Sequence, residues 1–241
     1  MKGHETIATP FCSAMPGITI RSELVKGARE HRSVTAYESV STWKQPPAPP
    51  PSPVRAQVIA ELADRICARS PRRLRVAVDG RTGAGKSTFA DELAAAVRER
   101  GRSTLRASLD DFKKPWRDAR EKGYDRVTGE GYYRNAHDFD AARTLLLEPA
   151  DAVLVVDGVF AFRPEYDELW DVRIWIEVTE AVSRERGVAR DTELEGYDEA
   201  VRLHDTRYRL GEQLYIDEVQ PQRRADVVID NTDIDAPRVR E

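Results

Sequence analysis

The residues with the clearest chemical potential stand together after a short apolar run. Residues 79–88 read Asp-Gly-Arg-Thr-Gly-Ala-Gly-Lys-Ser-Thr, which contains the spacing G-x-x-x-x-G-K-[ST] of a phosphate-binding P-loop. Glycines let backbone N–H groups close around phosphate oxygens, and a following helix directs its positive end at the same anion. Lys86 supplies a mobile positive charge, and the Ser87 hydroxyl is a ligand suited to Mg²⁺. The predicted phosphate-binding residues are Gly80, Arg81, Thr82, Gly83, Ala84, Gly85, Lys86, Ser87 and Thr88.

Acidic side chains follow two other predicted strands. A short strand over residues 104–108 runs into Asp110 and Asp111, and a buried strand over residues 152–156 ends at Asp157. Ligands of open α/β sheets lie outside the carboxyl ends of the strands, so these acids are predicted to face a bound nucleotide. Asp157 is similar to a Walker B acid, which holds Mg²⁺ directly or through water. The alternative for the Asp110–Asp111 pair is a solvated acidic loop or a helix N-cap.

Two arginines form a further candidate for binding phosphate. Arg186 and Arg190 are four residues apart, hence on one face if the segment is helical. Such a pair can close over a polyphosphate and offset the charge of a transition state. Ordinary ion pairing with neighbouring acids is the competing interpretation.

Aromatic and basic residues dominate positions 113–137, which we predict to be a long loop near the site. Aromatic faces interleaved with cations could hold a planar, polar substrate, or they could simply pack the loop. The residues concerned are Lys113, Lys114, Trp116, Arg117, Arg120, Lys122, Tyr124, Tyr132, Tyr133, Arg134 and His137.

The elements that must position these residues alternate between strand and helix. Apolar residues at helical spacing predict helices over 54–69, after the P-loop and over 138–147, and apolar runs predict strands that include 172–178 and 225–230. This alternation favours a mostly parallel sheet. The predicted fold class is α/β, a three-layer P-loop NTPase sandwich with helices on both faces of the sheet.

An extension is predicted to precede this domain. Residues 1–53 lack clear periodicity and end in a proline-rich run, which favours a disordered segment with polyproline II character. The predicted division is therefore an extension over 1–53 and a catalytic domain over 54–241. The proline-rich run is interpreted as a plain linker, with a ligand for a proline-binding module or a start codon placed too early as alternatives.

Composition narrows the class of protein. The formal net charge of −4 gives no basic field for nucleic acid, and no apolar run approaches the length of a membrane span. Cys12 and Cys67 are too few for a disulfide framework or a zinc site, and the first residues lack the sustained apolar core of a secretion signal. We therefore expect a cytoplasmic protein with no nucleic-acid or membrane partner; its oligomeric state stays open.

Taken in order, these pieces resemble the uridine kinase-like branch of the P-loop kinases, which includes phosphoribulokinase and bacterial pantothenate kinase. The resemblance spans residues ~55 to ~235 in the order of its elements, and the P-loop is its most specific part. The matching segments are 78–88, 108–112, 132–140, 155–159, 184–191 and 215–231.

The resemblance implies an ATP-dependent kinase that phosphorylates a hydroxyl of a small molecule, with Mg²⁺ as cofactor. It implies uridine or cytidine as the default acceptor. By position, Asp110 corresponds to the general base that also touches the metal, and Arg186 and Arg190 correspond to lid arginines. Asp157 stands where the family usually carries a metal-binding Glu before Gly. The implied catalytic residues are Asp110, Lys86, Arg186 and Arg190, and the implied metal ligands are Ser87, Asp157 and Asp110.

Two departures from the family concern the acceptor half. The chain reads Arg-Asn-Ala-His-Asp at 134–138, where nucleoside kinases carry Asp-His-Pro-Asp, and it lacks the β-hairpin that walls the nucleoside site before the strand ending at Asp157. One alternative is therefore an ATP-binding module with little or no kinase activity. Another is a non-kinase P-loop NTPase that acts on a protein partner through the proline-rich arm.

Overall fold

The computed structural model describes residues 50–69, 72–115, 119–147 and 151–240. Most of the predicted extension, Trp116, Arg117 and the last residue lie outside these ranges. The strands are β1 (Leu74–Gly80), β2 (Thr104–Ser108), β3 (Val153–Asp157), β4 (Val172–Glu177), β5 (Val227–Asp230) and β6 (Arg238–Arg240). The helices are α1 (Pro53–Arg69), α2 (Lys86–Glu99), α3 (Gly129–Arg134), α4 (Phe139–Leu147), α5 (Glu180–Glu195), α6 (Tyr197–Leu203), α7 (Arg209–Val219) and α8 (Pro221–Arg224).

The strands form one sheet in the order β2-β3-β1-β4-β5-β6. All neighbouring pairs are parallel except β5 and β6, which are antiparallel. In the register of this sheet, Asp157 lies opposite Val78 on one side and Ser108 on the other. The sheet therefore brings the end of β3, the P-loop after β1 and the acids after β2 to the same edge.

Apolar side chains alternate across the sheet and fill a core on each face. Val76 and Val78 of β1 pack in the core that contains α1 and α2, whereas Ala77 between them packs in the core that contains α4 and α7. Successive strand residues point to opposite faces, so β1, β3 and β4 each contribute to both cores. The α/β fold with helices on both faces of a mostly parallel sheet is confirmed.

Helix α1 begins at Pro53, one residue before the predicted start. Proline is tolerated at a first helical position because the N–H that it lacks would have no helical partner there. Ser52 Oγ accepts the Arg55 N–H at 3.0 Å and caps the helix. The buried Arg55 side chain joins α1 to Glu92 of α2, to which Nε donates at 2.8 and 3.0 Å.

Several elements differ from the sequence prediction. Helix α3 lies within the segment predicted to be loop, and helices α6, α7 and α8 and the short antiparallel strand β6 were not predicted. Thr128 caps α3, because its hydroxyl accepts the Gly131 N–H at 3.0 Å. Across the described ranges, no helix combines the length and the apolar character needed to cross a bilayer.

Candidate active site

The predicted P-loop connects β1 to α2 and takes the shape of an anion cradle. Gly83 and Gly85 have φ values of 76° and 89°, a left-handed conformation that residues with a Cβ rarely adopt. Lys86, the first residue of α2, is buried and donates from Nζ to the Arg81 carbonyl oxygen at 2.9 Å. Its ammonium group thus lies across the loop, where the outer phosphates of a nucleotide would bind.

Carboxylates from separate elements surround the Lys86 ammonium group. Burial lowers the pKa of Lys86, and the negative charges of Asp79, Glu212, Asp110 and Asp157 act against that effect. The predicted residues Lys86, Asp110 and Asp157 therefore converge at one edge of the sheet, as the strand order requires.

Asp110 lies in the 3₁₀ turn that follows β2. Its carboxylate pairs with Lys113 Nζ at 2.8 Å. Burial raises the pKa of Asp110, but the positive charges of Lys113 and Lys86 outweigh it, so the pKa falls below its ordinary value. The side chain is thus ionised at neutral pH and ready to accept a hydrogen bond.

Asp157 ends β3 and meets two donors. Ser87 Oγ donates to Asp157 Oδ2 at 2.5 Å, and Arg106 Nη2 donates to Asp157 Oδ1 at 2.7 Å. A hydroxyl and a carboxylate side by side form the hard oxygen set that Mg²⁺ prefers. The Ser87–Asp157 pair therefore fits a magnesium ion, with Asp110 at the same edge.

The two predicted arginines lie on α5 as expected, but they face different neighbours. Arg186 donates to the carbonyl oxygens of Asn231 and Thr232, at 3.0 and 2.8 Å. Arg190 pairs with Asp191, with Nε 2.7 Å from Oδ1, and it lies within electrostatic reach of Asp110. Arg190 therefore lies towards Asp110, whereas Arg186 lies beside the loop after β5.

Helix α5 rests directly on the P-loop. A Cβ added to Gly83 would come within 2.6 Å of the Ser183 carbonyl oxygen and 3.0 Å of the Gly187 amide nitrogen. Ser183 Oγ also donates to the Thr82 carbonyl oxygen at 2.6 Å. Glycine at position 83 thus serves the loop conformation and the approach of the helix together.

Three polar side chains that support the P-loop were not predicted as site residues. Asp79 is fully buried and accepts the Tyr215 hydroxyl at 2.5 Å, and burial raises its pKa to about 6. Glu212 accepts the Thr82 N–H at 2.7 Å, and Asn231 Nδ2 donates to the Ala84 carbonyl oxygen at 2.7 Å. Asp79 stands beside the motif and could have been found there, whereas no local signal marks Glu212.

The aromatic segment packs inward rather than lining an open surface. Tyr132 and Tyr133 are buried, and each ring meets Phe160 edge-on with centroids 5.1 Å apart. His137 is fully buried, neither ring nitrogen has a hydrogen-bond partner, and burial lowers its pKa to about 3. The structure favours the packing interpretation for these three residues, although Tyr132 and Tyr133 lie in helix α3 rather than in a loop.

No family model and no curated protein sequence matches the chain. Among solved structures, it is similar to a protein provisionally assigned as a fructose transport system kinase from Silicibacter sp. TM1040, at 24% identity and a TM-score of 0.53, over 65% of this chain and 93% of that one. It is also similar to a protein provisionally assigned as a uridine kinase from Bacillus stearothermophilus, at 21% identity and a TM-score of 0.54, over 71% and 97% of the two chains.

A third similar structure is the YGR205w protein, at 12% identity and a TM-score of 0.55, over 78% of this chain and 99% of that one. At these identities the similarity concerns the fold. The fold that the sequence resemblance implied is thereby confirmed, with this chain spanning nearly the whole length of each of the three.

Proposed function

We propose that the protein is an ATP-dependent kinase that transfers the γ-phosphate to a hydroxyl of a small molecule. The observation that carries the proposal is the convergence of Lys86, Asp110 and Asp157 at the carboxyl edge of the sheet beside a P-loop. A phosphate cradle alone needs no ionised acid beyond the metal site. An acid held near the cradle by cations suits the orientation of an attacking hydroxyl.

Each residue has a role that its position supports. The P-loop amides and Lys86 bind the β- and γ-phosphates, and Ser87 and Asp157 hold the magnesium ion. Asp110 accepts a hydrogen bond from the acceptor hydroxyl. This hydrogen bond orients the hydroxyl oxygen, and the Asp110 carboxylate takes up the proton. Bound Mg·ATP would supply the phosphoryl group and partly neutralise its charge.

Arg190 and Arg186 have different roles in this proposal. Arg190 lies within electrostatic reach of Asp110 and would offset charge on the transferring group. Arg186 contacts the loop after β5, so its predicted role requires it to leave the carbonyl oxygens of Asn231 and Thr232. We keep the predicted role for Arg186, in which its side chain closes over the phosphates of the bound nucleotide.

The acceptor is the least specified part of the proposal. Uridine or cytidine is the default acceptor implied by the family resemblance. The low cysteine content favours a reducing compartment, so we place the activity in the cytoplasm. Tyr132 and Tyr133 are buried, so neither ring offers an open face to an acceptor. An ADP-release screen of the full-length chain with nucleosides, pantothenate and sugar phosphates identifies the acceptor class.

Lys86→Ala is the direct test of the phosphate site. Losing a preorganised charge on the transferring group typically costs about 10²–10³-fold in rate, and we expect at least that loss of ATP turnover. Arg98→Ala is the matched control, since Arg98 is an exposed cation of the same helix. Circular dichroism and the melting temperature should show that both variants fold. Equal turnover in Lys86→Ala and the control would refute the assignment.

The same screen separates the competing functions. ATP binding by calorimetry, without acceptor-dependent ADP release, would favour a nucleotide-binding module, for which the buried aromatic segment is the motivating observation. ATP hydrolysis that ignores small acceptors and changes when residues 1–49 are deleted would favour an NTPase acting on a protein partner. Acceptor-dependent ADP release that survives this deletion supports the kinase.

A further inference from the structure

Arg106 of β2 makes contacts that the proposed reaction does not require. Its Nη2 donates to Asp157 Oδ1 at 2.7 Å and lies 3.4 Å from the Ser87 carbonyl oxygen, while its Nε donates to Asp91 Oδ1 at 2.8 Å. The guanidinium group therefore sits beside both residues that would hold the metal. It comes from the strand next to β3, so the parallel register fixes its place.

Without a metal, the Asp157 carboxylate is already paired with a cation. The Asp157 side chain is 3% exposed and that of Arg106 is 19% exposed, so solvent screens this pair poorly. The guanidinium group of arginine stays charged in proteins, and Asp91 pairs with it from the outer side. A buried carboxylate that already has a cation attracts a second cation weakly.

The hydrogen bonds also restrict which oxygen a metal can reach. Oδ1 of Asp157 is occupied by Arg106, which leaves Oδ2 on the side of the Ser87 hydroxyl. One carboxylate oxygen and one hydroxyl are few ligands for Mg²⁺, which otherwise takes ligands from water and substrate phosphates.

We propose that Arg106 is a positioning residue that acts as a built-in counter-cation for Asp157 and makes divalent-metal binding depend on bound nucleotide. Without nucleotide, Arg106 satisfies Asp157 and keeps the site empty of metal. With nucleotide, phosphate oxygens provide the missing ligands and negative charge, and Asp157 contributes through Oδ2. The inference rests on the proposed Mg·ATP site, but its test requires no turnover.

The test measures Mn²⁺ binding to the nucleotide-free, full-length chain by the loss of the electron paramagnetic resonance signal of free Mn²⁺. Removing one positive charge within a few ångström of a divalent ion changes affinity by about tenfold or more. We therefore expect Arg106→Gln to bind Mn²⁺ at least about tenfold more tightly than the wild type. The gain should disappear in the double variant Arg106→Gln/Asp157→Asn.

Three controls keep the result specific. Asp91 is the outer partner of Arg106, and its side chain is 61% exposed. Asp91→Asn should therefore leave Mn²⁺ affinity at the wild-type level. Arg100→Gln removes an ion pair with Asp64 on the surface and should behave in the same way. Arg106→Lys keeps the charge and should also bind Mn²⁺ as the wild type does. Melting temperatures show whether each variant folds.

A purely structural role for Arg106 predicts lower stability in Arg106→Gln but no gain of metal binding. Unchanged Mn²⁺ affinity in that variant, or a gain that persists in the double variant, overturns the inference. An equal gain in Arg106→Lys overturns the role of charge. If the metal results hold and no variant or wild-type chain transfers phosphate, the proposed function fails while the counter-cation role of Arg106 stands.

Discussion

Asp110 and Asp111 are adjacent, so their roles have to be separated by position. Asp110 lies within electrostatic reach of Lys86, Lys113 and Arg190, the cations that would gather around a transferring phosphate. Its carboxylate is ionised at neutral pH because these charges outweigh the effect of burial on its pKa. Asp110 is therefore the candidate base, and Asp111 is a neighbour of the same chemical type for comparison.

Asp110→Asn should lower kcat by about 10²–10⁴-fold, the usual contribution of a positioned general base. The affinity for ATP should change little, because the amide keeps the shape of the side chain and the phosphate cradle is untouched. Steady-state kinetics with the identified acceptor and calorimetry with ATP measure the two quantities. Asp111→Asn is the matched control, with kcat expected to stay near the wild-type value. The reverse outcome would make Asp111 the base.

Local sequence predicted the residues of the site that stand in motifs or at strand ends. Lys86, Asp110 and Asp157 belong to this group, and the structure brings them together. Glu212 and Asn231 were missed because their contacts with the P-loop span 130 and 147 residues of sequence. Such partners are fixed by tertiary packing, which no spacing pattern encodes.

At the scale of elements, helix α5 packs directly against the P-loop. Gly83 lies under the Ser183 carbonyl and the Gly187 amide, so the helix backbone covers the loop. The arginines of α5 owe their placement to this contact. A change that separates the two elements should therefore reduce nucleotide binding more than it reduces folding.

Gly83→Ala tests this coupling. The new Cβ would come within 2.6 Å of the Ser183 carbonyl oxygen, so the backbone of α5 would have to shift. We therefore expect ATP affinity to fall by about tenfold or more. Gly101→Ala is the matched control, because Gly101 has φ 78° but its Cβ would meet nothing within 4 Å. Both variants carry backbone strain of about 1 kcal/mol, visible in their melting temperatures. Equal ATP affinity in both would rule out the contact as the cause.

The sequence predicted the elements that carry strong periodicity and missed those that depend on context. The buried strands and helices α1, α2 and α4 were expected close to their observed bounds, and α5 contains the segment whose helical state was left open. Helix α3 contains Gly129 and Gly131, residues of low helix propensity, and it is held by the Thr128 cap and by contact with Gly211 of α7. Strand β6 is only three residues long and exists through its pairing with β5.

At the scale of the whole molecule, two fully buried titratable groups oppose each other in their effect on acid stability. Asp79 has a pKa raised to about 6 by burial, so its contribution to the free energy of unfolding is present at low pH and is lost as pH rises through 4 to 6. His137 has a pKa lowered to about 3 by burial. Its contribution is present above its ordinary pKa of 6.5 and is lost as pH falls below that value.

The surroundings of His137 explain why its contribution should be the larger. Its ring is reached by the positive charges of Lys113, Arg126 and Arg163, and only Asp110 favours protonation. A shift of one pKa unit corresponds to about 1.4 kcal/mol, so the depression of His137 exceeds the elevation of Asp79 in free energy. Between about pH 4 and 6 the two contributions change in opposite directions and nearly cancel. The wild type should therefore lose stability from this pair mainly as the pH falls from 6.5 to 6, and again below about pH 4.

Urea unfolding between pH 4.5 and 7.5 separates the two contributions. His137→Phe removes the imidazole that resists protonation, so the free energy of unfolding should fall less steeply with acid than in the wild type. Asp79→Asn removes the group that is stabilised by protonation, so the fall should be steeper. The comparison uses slopes against pH, which are independent of any constant packing cost of either substitution. Parallel curves for the three proteins would show that neither buried group governs acid stability.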